Sequence, residues 1–404
     1  MIVTFEEVEP TEKVIPQSPS SFSSLPDEIT EMILARVSRW NYPSLSLVSK
    51  SFHALLSSMQ IYKTRSQIGA EETCFYVCLE FDNQPYLSWF SLWSKPNQTL
   101  TKQTGEIRFK QDSRGNSVVP APFASSHSPR ITWQSTQTFG SEIYVIGGPD
   151  DQPSSSVRIF DCRSHIWRDA PSMSVARENA CALFVNEEIY VLGGCDIDEN
   201  SANWFEVFDL KTQTWTALPC PGVDDEELRN ILREYNDNLI ILDAFQGKLY
   251  VAVVGEKEYA YEPKDGTWKF VKEQLSLPLY SVSAWYEIKH VVYCCTFSGK
   301  LMWSVSKTEG KEWRKIKGLR ELRNDSTRGL RTGNRFVLGD DSGKLLVLWD
   351  VSDTEQRKNK IWYAKISLES RCNGCEVWGT VDCVDELTFP CENYKMFHVL
   401  SASV

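Results

Sequence analysis

Histidine is scarce in this chain. Only five occur among 404 residues, His53, His127, His165, His290 and His398, and no pair stands at the spacing that converges imidazoles on one ion. Cys372-Asn373-Gly374-Cys375 has zinc-knuckle spacing, but Cys383 and Cys391 downstream bring neither a His pair nor a second CxxC. No metal ligands are assigned and no cofactor is expected. A phosphate-cradling glycine loop and a nucleophile elbow are also missing, so nothing marks out a catalytic centre. Positive charge is in deficit: 43 Lys and Arg against 54 Asp and Glu give a net charge of -11. That balance argues against nucleic acid or an anionic membrane as a partner. No apolar run reaches the roughly 18 residues needed to span a bilayer, and residues 1–21 lack the basic and apolar regions of a secretory signal. The 12 cysteines are then expected in a reducing compartment, cytoplasm or nucleus, as small buried hydrophobes rather than disulfides.

What is present begins with a short helical module. Residues 1–22 are rich in Ser, Pro and Glu and read as a disordered leader. Ser24-Leu25-Pro26-Asp27-Glu28 then offers a capping hydroxyl, a proline at a harmless position and carboxylates facing the helix dipole. Leu25, Ile29, Met32, Ile33 and Val37 recur at three- and four-residue steps, which predicts one stripe of a helix. After Asn41-Tyr42-Pro43 a second helix is expected from about Ser44, carrying Leu45, Val48, Phe52, Leu55, Leu56 and Met59. Two or three short helices cannot bury this much apolar surface among themselves, so part of it must face the rest of the chain or a partner.

Leu25-Pro26-Asp27-Glu28-Ile29, Ile33-Leu34-Ala35-Arg36-Val37 and Leu45-Ser46-Leu47-Val48-Ser49-Lys50-Ser51-Phe52 match the F-box pattern in residue type and spacing. Residues 23–66 therefore resemble an F-box domain. The resemblance implies docking on a Skp-type adaptor, with Leu25, Pro26, Ile29, Val48, Ser49 and Lys50 in contact. Ile33, Val37, Phe52 and Leu55 are read as holding the module's own helices together. The linker Ser38 to Pro43, with an outward-looking Trp40, departs from the pattern.

Beyond residue 70 the helical period gives way to short β-branched and aromatic runs bounded by Gly, Asp, Asn and Ser. Trp167, Trp215, Trp268, Trp313 and Trp362 each open a similar run, at separations of 48, 53, 45 and 49. Upstream of the first two lie Ile143-Tyr144-Val145-Ile146-Gly147-Gly148 and Ile189-Tyr190-Val191-Leu192-Gly193-Gly194. Phe160 to Trp167, Phe208 to Trp215 and Tyr261 to Trp268 all span seven residues. Paired glycines permit tight turns where backbones approach, and a large Trp fills space between blades. This unit of about 50 residues resembles the kelch repeat, one four-stranded blade of a propeller.

The expected fold is an all-β kelch-type β-propeller over residues 72–404, with six blades, preceded by the small α-helical domain. Blades are placed at about 72–120 joined by 375–403, then 130–172, 176–220, 235–272, 280–318 and 328–370. Residues 101–130 and Asp224-Asp225-Glu226-Glu227 read as solvated loops. Arg177 resembles an arginine of kelch blades that faces the binding surface, or else bonds backbone carbonyls between blades. By resemblance the chain is similar to the plant F-box/kelch adaptors. That implies a non-catalytic subunit of a Skp-cullin-F-box ubiquitin ligase whose propeller holds a protein substrate. The alternatives are a kelch scaffold outside a ligase and, more remotely, a copper oxidase, for which the scattered histidines are a poor basis.

Overall fold

A computed structural model describes residues 25–81, 87–92, 118–120, 134–148, 152–195, 204–219, 239–245, 248–253, 258–272, 282–305, 313–324, 329–331, 335–341, 343–353, 358–387 and 394–404, with Asn230 and Phe389. The leader, Ser24, His127, Cys391, the acidic loop and most of 101–130 lie outside these residues. The chain divides into two compact units, Met1–Ala70 and Glu71–Val404.

The first unit contains α1 (Asp27–Ala35), a 3-10 turn at Arg39–Asn41, α2 (Tyr42–Leu45), α3 (Lys50–Leu56) and α4 (Met59–Gln67). Pro26 occupies the cap position of α1 without a side-chain bond. Its carbonyl accepts from Ile29 N and Thr30 N at 3.1 and 3.0 Å, and Asp27 and Glu28 fill the first turn. The single helix expected from Ser44 is instead three, because two serines interrupt it. Ser49 Oγ accepts from Phe52 N at 3.1 Å and Ser58 Oγ from Ile61 N at 3.4 Å, and each starts a new helix. Leu34, Ala35, Tyr42, Leu56 and Ile61 form the core, with Phe52 and Leu55 packed on it. Arg65 is 1% exposed, and its guanidinium donates to Ala35 O, Val37 O and Tyr42 Oη at 3.0, 2.8 and 3.2 Å. It thereby satisfies carbonyls that the end of α1 leaves open. Trp40 is half-buried in the 3-10 turn rather than outward, its N–H held by Ser38 Oγ at 3.3 Å.

The second unit is a propeller of six four-stranded sheets. Blade 1 takes β1 (Thr73–Phe81), β2 (Ser88–Leu92) and β3 (Val118–Pro120). Blade 2 takes β4 (Thr136–Phe139), β5 (Glu142–Ile146), β6 (Val157–Asp161) and β7 (Ile166–Ala170). Blade 3 takes β8 (Cys181–Val185), β9 (Glu188–Leu192), β10 (Phe205–Asp209) and β11 (Thr214–Ala217). Blade 4 takes β12 (Leu239–Phe245), β13 (Lys248–Val253), β14 (Glu258–Glu262) and β15 (Thr267–Lys272). Blade 5 takes β16 (Val282–Ile288), β17 (Val291–Thr296), β18 (Leu301–Val305) and β19 (Arg314–Lys315), followed by a one-turn helix α5 (Arg320–Asn324). Blade 6 takes β20 (Phe336–Asp341), β21 (Lys344–Asp353), β22 (Lys358–Arg371) and β23 (Glu376–Leu387). The last strand, β24 (Tyr394–Ser403), returns to blade 1 as its inner strand. Inner strands touch their neighbours around the ring, β4 with β8, β8 with β12, β16 with β20, β20 with β24 and β24 with β4.

The seven-residue step has a simple cause. Phe160 and Trp167, Phe208 and Trp215, and Tyr261 and Trp268 are direct cross-strand partners. The turn between them is tight: Asp161 O accepts from His165 N at 2.7 Å and Asp209 O from Gln213 N at 2.9 Å, with His165 and Gln213 at φ 57° and 58°. The tryptophans also reach back one blade. Trp215 Nε1 donates to Pro171 O at 2.8 Å and Trp268 Nε1 to Pro219 O at 3.3 Å. The glycine pairs follow from crowding: a Cβ on Gly148 would lie 1.8 Å from Gln152 O, and one on Gly194, at φ 70°, would lie 2.4 Å from Glu178 O.

Two expectations fail in blade 6. Trp362 sits on the third strand, opposite Trp349, and the fourth-strand tryptophan is Trp378; Trp313 precedes β19. Residues 376–387 are likewise the outer strand of this blade, so only 394–403 joins blade 1. The cause is strand length. β21, β22 and β23 have 10, 14 and 12 residues, which stretches the repeat and carries its tryptophan out of step.

β24 also carries a titration handle. His398, paired with Cys78 of β1, is held down to about 4, first by burial and then by the Arg335 charge. Above its ordinary value near 6.5 the ring is neutral folded or unfolded. As pH falls from there toward 4 only the unfolded chain takes the proton, so folded stability is lost. A series of denaturant titrations from pH 7 to 4 should therefore show a shallower decline for His398→Gln, the difference reaching at most about 3 kcal/mol. Parallel declines would remove His398 from the acid sensitivity.

Candidate functional site

Among the described residues twelve large apolar side chains are exposed, and seven of them lie within residues 25–59: Leu25, Ile29, Met32, Ile33, Leu47, Val48 and Met59. Helix α1 shows why. Thr30, Leu34 and Ala35 are buried, and α1 packs on α4. Leu25, Ile29, Met32 and Ile33, at steps of three and four, form a second stripe that is 37–44% exposed. The stripe read from the sequence is thus the outward one. Ile33, assigned to the internal packing, belongs to it at 38% exposure, because Leu34 and Ala35 already fill the interface.

The link between α2 and α3 presents the other part. Leu47 and Val48 are 86% and 65% exposed. Ser49 is exposed too, but its hydroxyl is engaged in capping α3, which fixes the link that presents Val48; Lys50 is the exposed first residue of that helix. Pro26 is exposed at the head of α1. Leu47, Met32 and Met59 were missed as site residues. Leu47 was findable, since Leu45 occupies the inward step and leaves its second neighbour outside.

In the propeller Arg177 does not face a binding surface. It is 0% exposed. Nη1 donates to Gly193 O, Trp204 O and Cys195 Sγ at 2.6, 2.9 and 3.3 Å, and Nη2 pairs with Glu206 at 2.9 Å. Its own carbonyl accepts from Gly148 N and Ser154 N at 2.9 and 3.0 Å. The residue ties blade 2 to blade 3 through backbone carbonyls, which is the second of the two readings given for it, and at this depth it is not a substrate contact. Cys372 and Cys375 are exposed in the β22–β23 turn, unlike the buried thiols expected of this chain. Among the described residues no three His, Cys, Asp or Glu side chains are grouped to hold a metal ion.

Residues 22–64 match the F-box domain, and residues 89–388 match the family described as FKB95, Kelch-repeats domain. An F-box/kelch-repeat protein of Arabidopsis thaliana is 45% identical over 403 residues, covering 95% of this chain and 93% of that protein. A second from the same plant is 39% identical over 398 residues, covering 96% and 94%. The outward apolar stripe at the start of the chain and the six blades behind it are the two parts that this shared architecture joins, and the chain belongs to the F-box/kelch-repeat family.

Proposed function

We propose that this protein is a non-catalytic, substrate-recognition subunit of a Skp-cullin-F-box ubiquitin ligase, acting in the cytoplasm or nucleus. The carrying observation is the concentration of exposed apolar side chains on α1 and on the α2–α3 link. An apolar surface of that kind on a small unit is a docking surface, and F-box domains generally bind Skp-type adaptors. The adaptor would tether the chain to a cullin while propeller loops hold a target protein. Ubiquitin transfer is then accelerated by raised effective concentration, with no bond made by this chain.

The test is capture of a Skp-type adaptor by wild type, by Leu25→Ala with Pro26→Ala, and by Leu47→Asp with Val48→Asp, with circular dichroism to verify folding. These side chains are exposed, so the fold should persist. Each fully buried Leu or Val is worth about 1.5–3 kcal/mol, so Leu47→Asp with Val48→Asp should bind at least about a hundredfold more weakly and Leu25→Ala with Pro26→Ala at least about tenfold. A folded wild type that captures no adaptor would favour a kelch scaffold working outside a ligase.

A further inference from the structure

The turn joining β22 to β23 is Cys372-Asn373-Gly374-Cys375, a segment that the adaptor role leaves unused. Cys375 N donates to Cys372 O at 3.1 Å, and Asn373 and Gly374 have φ of 54° and 85°. The two cysteines are thus the first and last residues of a tight turn, positions whose Cα atoms lie within about 7 Å. A disulfide requires about 4.4–6.8 Å. Both are exposed free thiols, whereas Cys74, Cys78, Cys162, Cys181, Cys294 and Cys295 are buried. Burial pushes Cys294 up to about 12, and a thiol in that state is a poor nucleophile at neutral pH.

The turn is carried on a braced arm. The β22–β23 ladder runs on to Arg371 opposite Glu376, while β21 follows β22 only as far as Ile366. Residues 367–371 and their partners 376–380 therefore project past β21. On the other edge of β23, Lys317 N donates to Val377 O at 2.9 Å and Gly379 N to Lys317 O at 2.8 Å. Arg371 lies over the Trp378 ring at 4.7 Å and bonds Glu369 at 2.6 and 2.9 Å, and Arg314 Nη1 donates to Cys375 O at 3.0 Å. A turn held on both flanks loses little further freedom when its ends are cross-linked.

We propose that Cys372 and Cys375 are a redox modification site, forming a reversible intramolecular disulfide by exchange with a small-molecule disulfide such as glutathione disulfide. The thiolate of one cysteine attacks a sulfur of the oxidant, which breaks the oxidant's S–S bond, forms a mixed disulfide and releases one thiol. The second cysteine's thiolate then attacks the protein-bound sulfur and releases the other thiol. Two electrons and two protons leave the protein, and the oxidant departs as two thiol molecules. An exposed disulfide of this kind belongs to the labile class rather than the structural one.

The test treats the full chain with glutathione disulfide, alkylates the remaining thiols and maps them by mass spectrometry. The expected product has lost two hydrogens, retains no glutathione, escapes alkylation at 372 and 375 and is restored by dithiothreitol. Cys372→Ser and Cys375→Ser, both at exposed positions and verified as folded, should each stop at a stable glutathione adduct on the remaining cysteine. Alkylation of wild type undiminished at both positions, or a wild-type adduct as persistent as in the single variants, overturns the proposal.

Discussion

Arg177→Ala is expected to lower the unfolding free energy of the propeller by about 3–5 kcal/mol, a large part of the roughly 5–15 kcal/mol that holds an ordinary domain together. The substitution leaves the Glu206 carboxylate, itself 0% exposed, facing no guanidinium, and takes a donor from Gly193 O and Trp204 O. Neither loss can be made good by solvent at a site this deep. Glu206→Ala should cost nearly as much, since Ser174 N would also lose its acceptor. The double variant Arg177→Ala, Glu206→Ala should cost clearly less than the two single losses combined, because no unpaired charge is then left behind. Arg177→Lys should rescue little, since one ammonium cannot span the carboxylate and the carbonyls together. Urea midpoints of the four variants decide it; single losses below about 1 kcal/mol would mean that the site relaxes around the missing charge. Adaptor capture through the helical unit should be unchanged in whichever variants fold, which separates this failure from a defect in docking.

What could be read from the chain follows from the kind of constraint each residue obeys. Trp167, Trp215 and Trp268 announced the blades because each is locked opposite an aromatic partner seven residues back, and a short hairpin cannot alter that spacing. Blade 6 broke the rhythm because its strands lengthened, and a period carries no information about strand length. Helical period had the same blind spot in the first unit. It located the stripe Leu25, Ile29, Met32 and Ile33, but the opposite face, Thr30, Leu34 and Ala35, is also small or apolar. Only packing against α4 reveals which side is covered. Arg65 was illegible for a related reason, and of the two readings that the resemblance left for Arg177 only packing selects the carbonyl-bonding one. An arginine is read as solvated unless its acceptors are known, and here those acceptors are backbone carbonyls brought close by the fold.

Deleting residues 394–404 should abolish the cooperative unfolding transition of the propeller altogether. β24 pairs with β1 from Thr73 opposite Ser403 to Phe81 opposite Tyr394, and Glu72 and Val404 exchange both backbone bonds at 2.9 Å. Bringing those ends together closes a loop of almost the whole chain, at an entropy cost of about 5 kcal/mol. The ladder, together with burial of Tyr394, Ala402 and Val404 at 2–4% exposure, must more than offset it. Without β24 that compensation vanishes, β1 is left as a bare nine-residue edge, and β4 and β20 each lose an inner-strand neighbour. Because closure joins β1 to a strand synthesised long after it, the shortened chain resembles a folding intermediate with an open edge and should associate through it. The measurement is thermal unfolding followed by near-ultraviolet circular dichroism, beside sedimentation of the same samples. Aggregation without a sharp transition is expected, whereas a monomer that melts as cooperatively as the full chain would show that five blades and a remnant suffice.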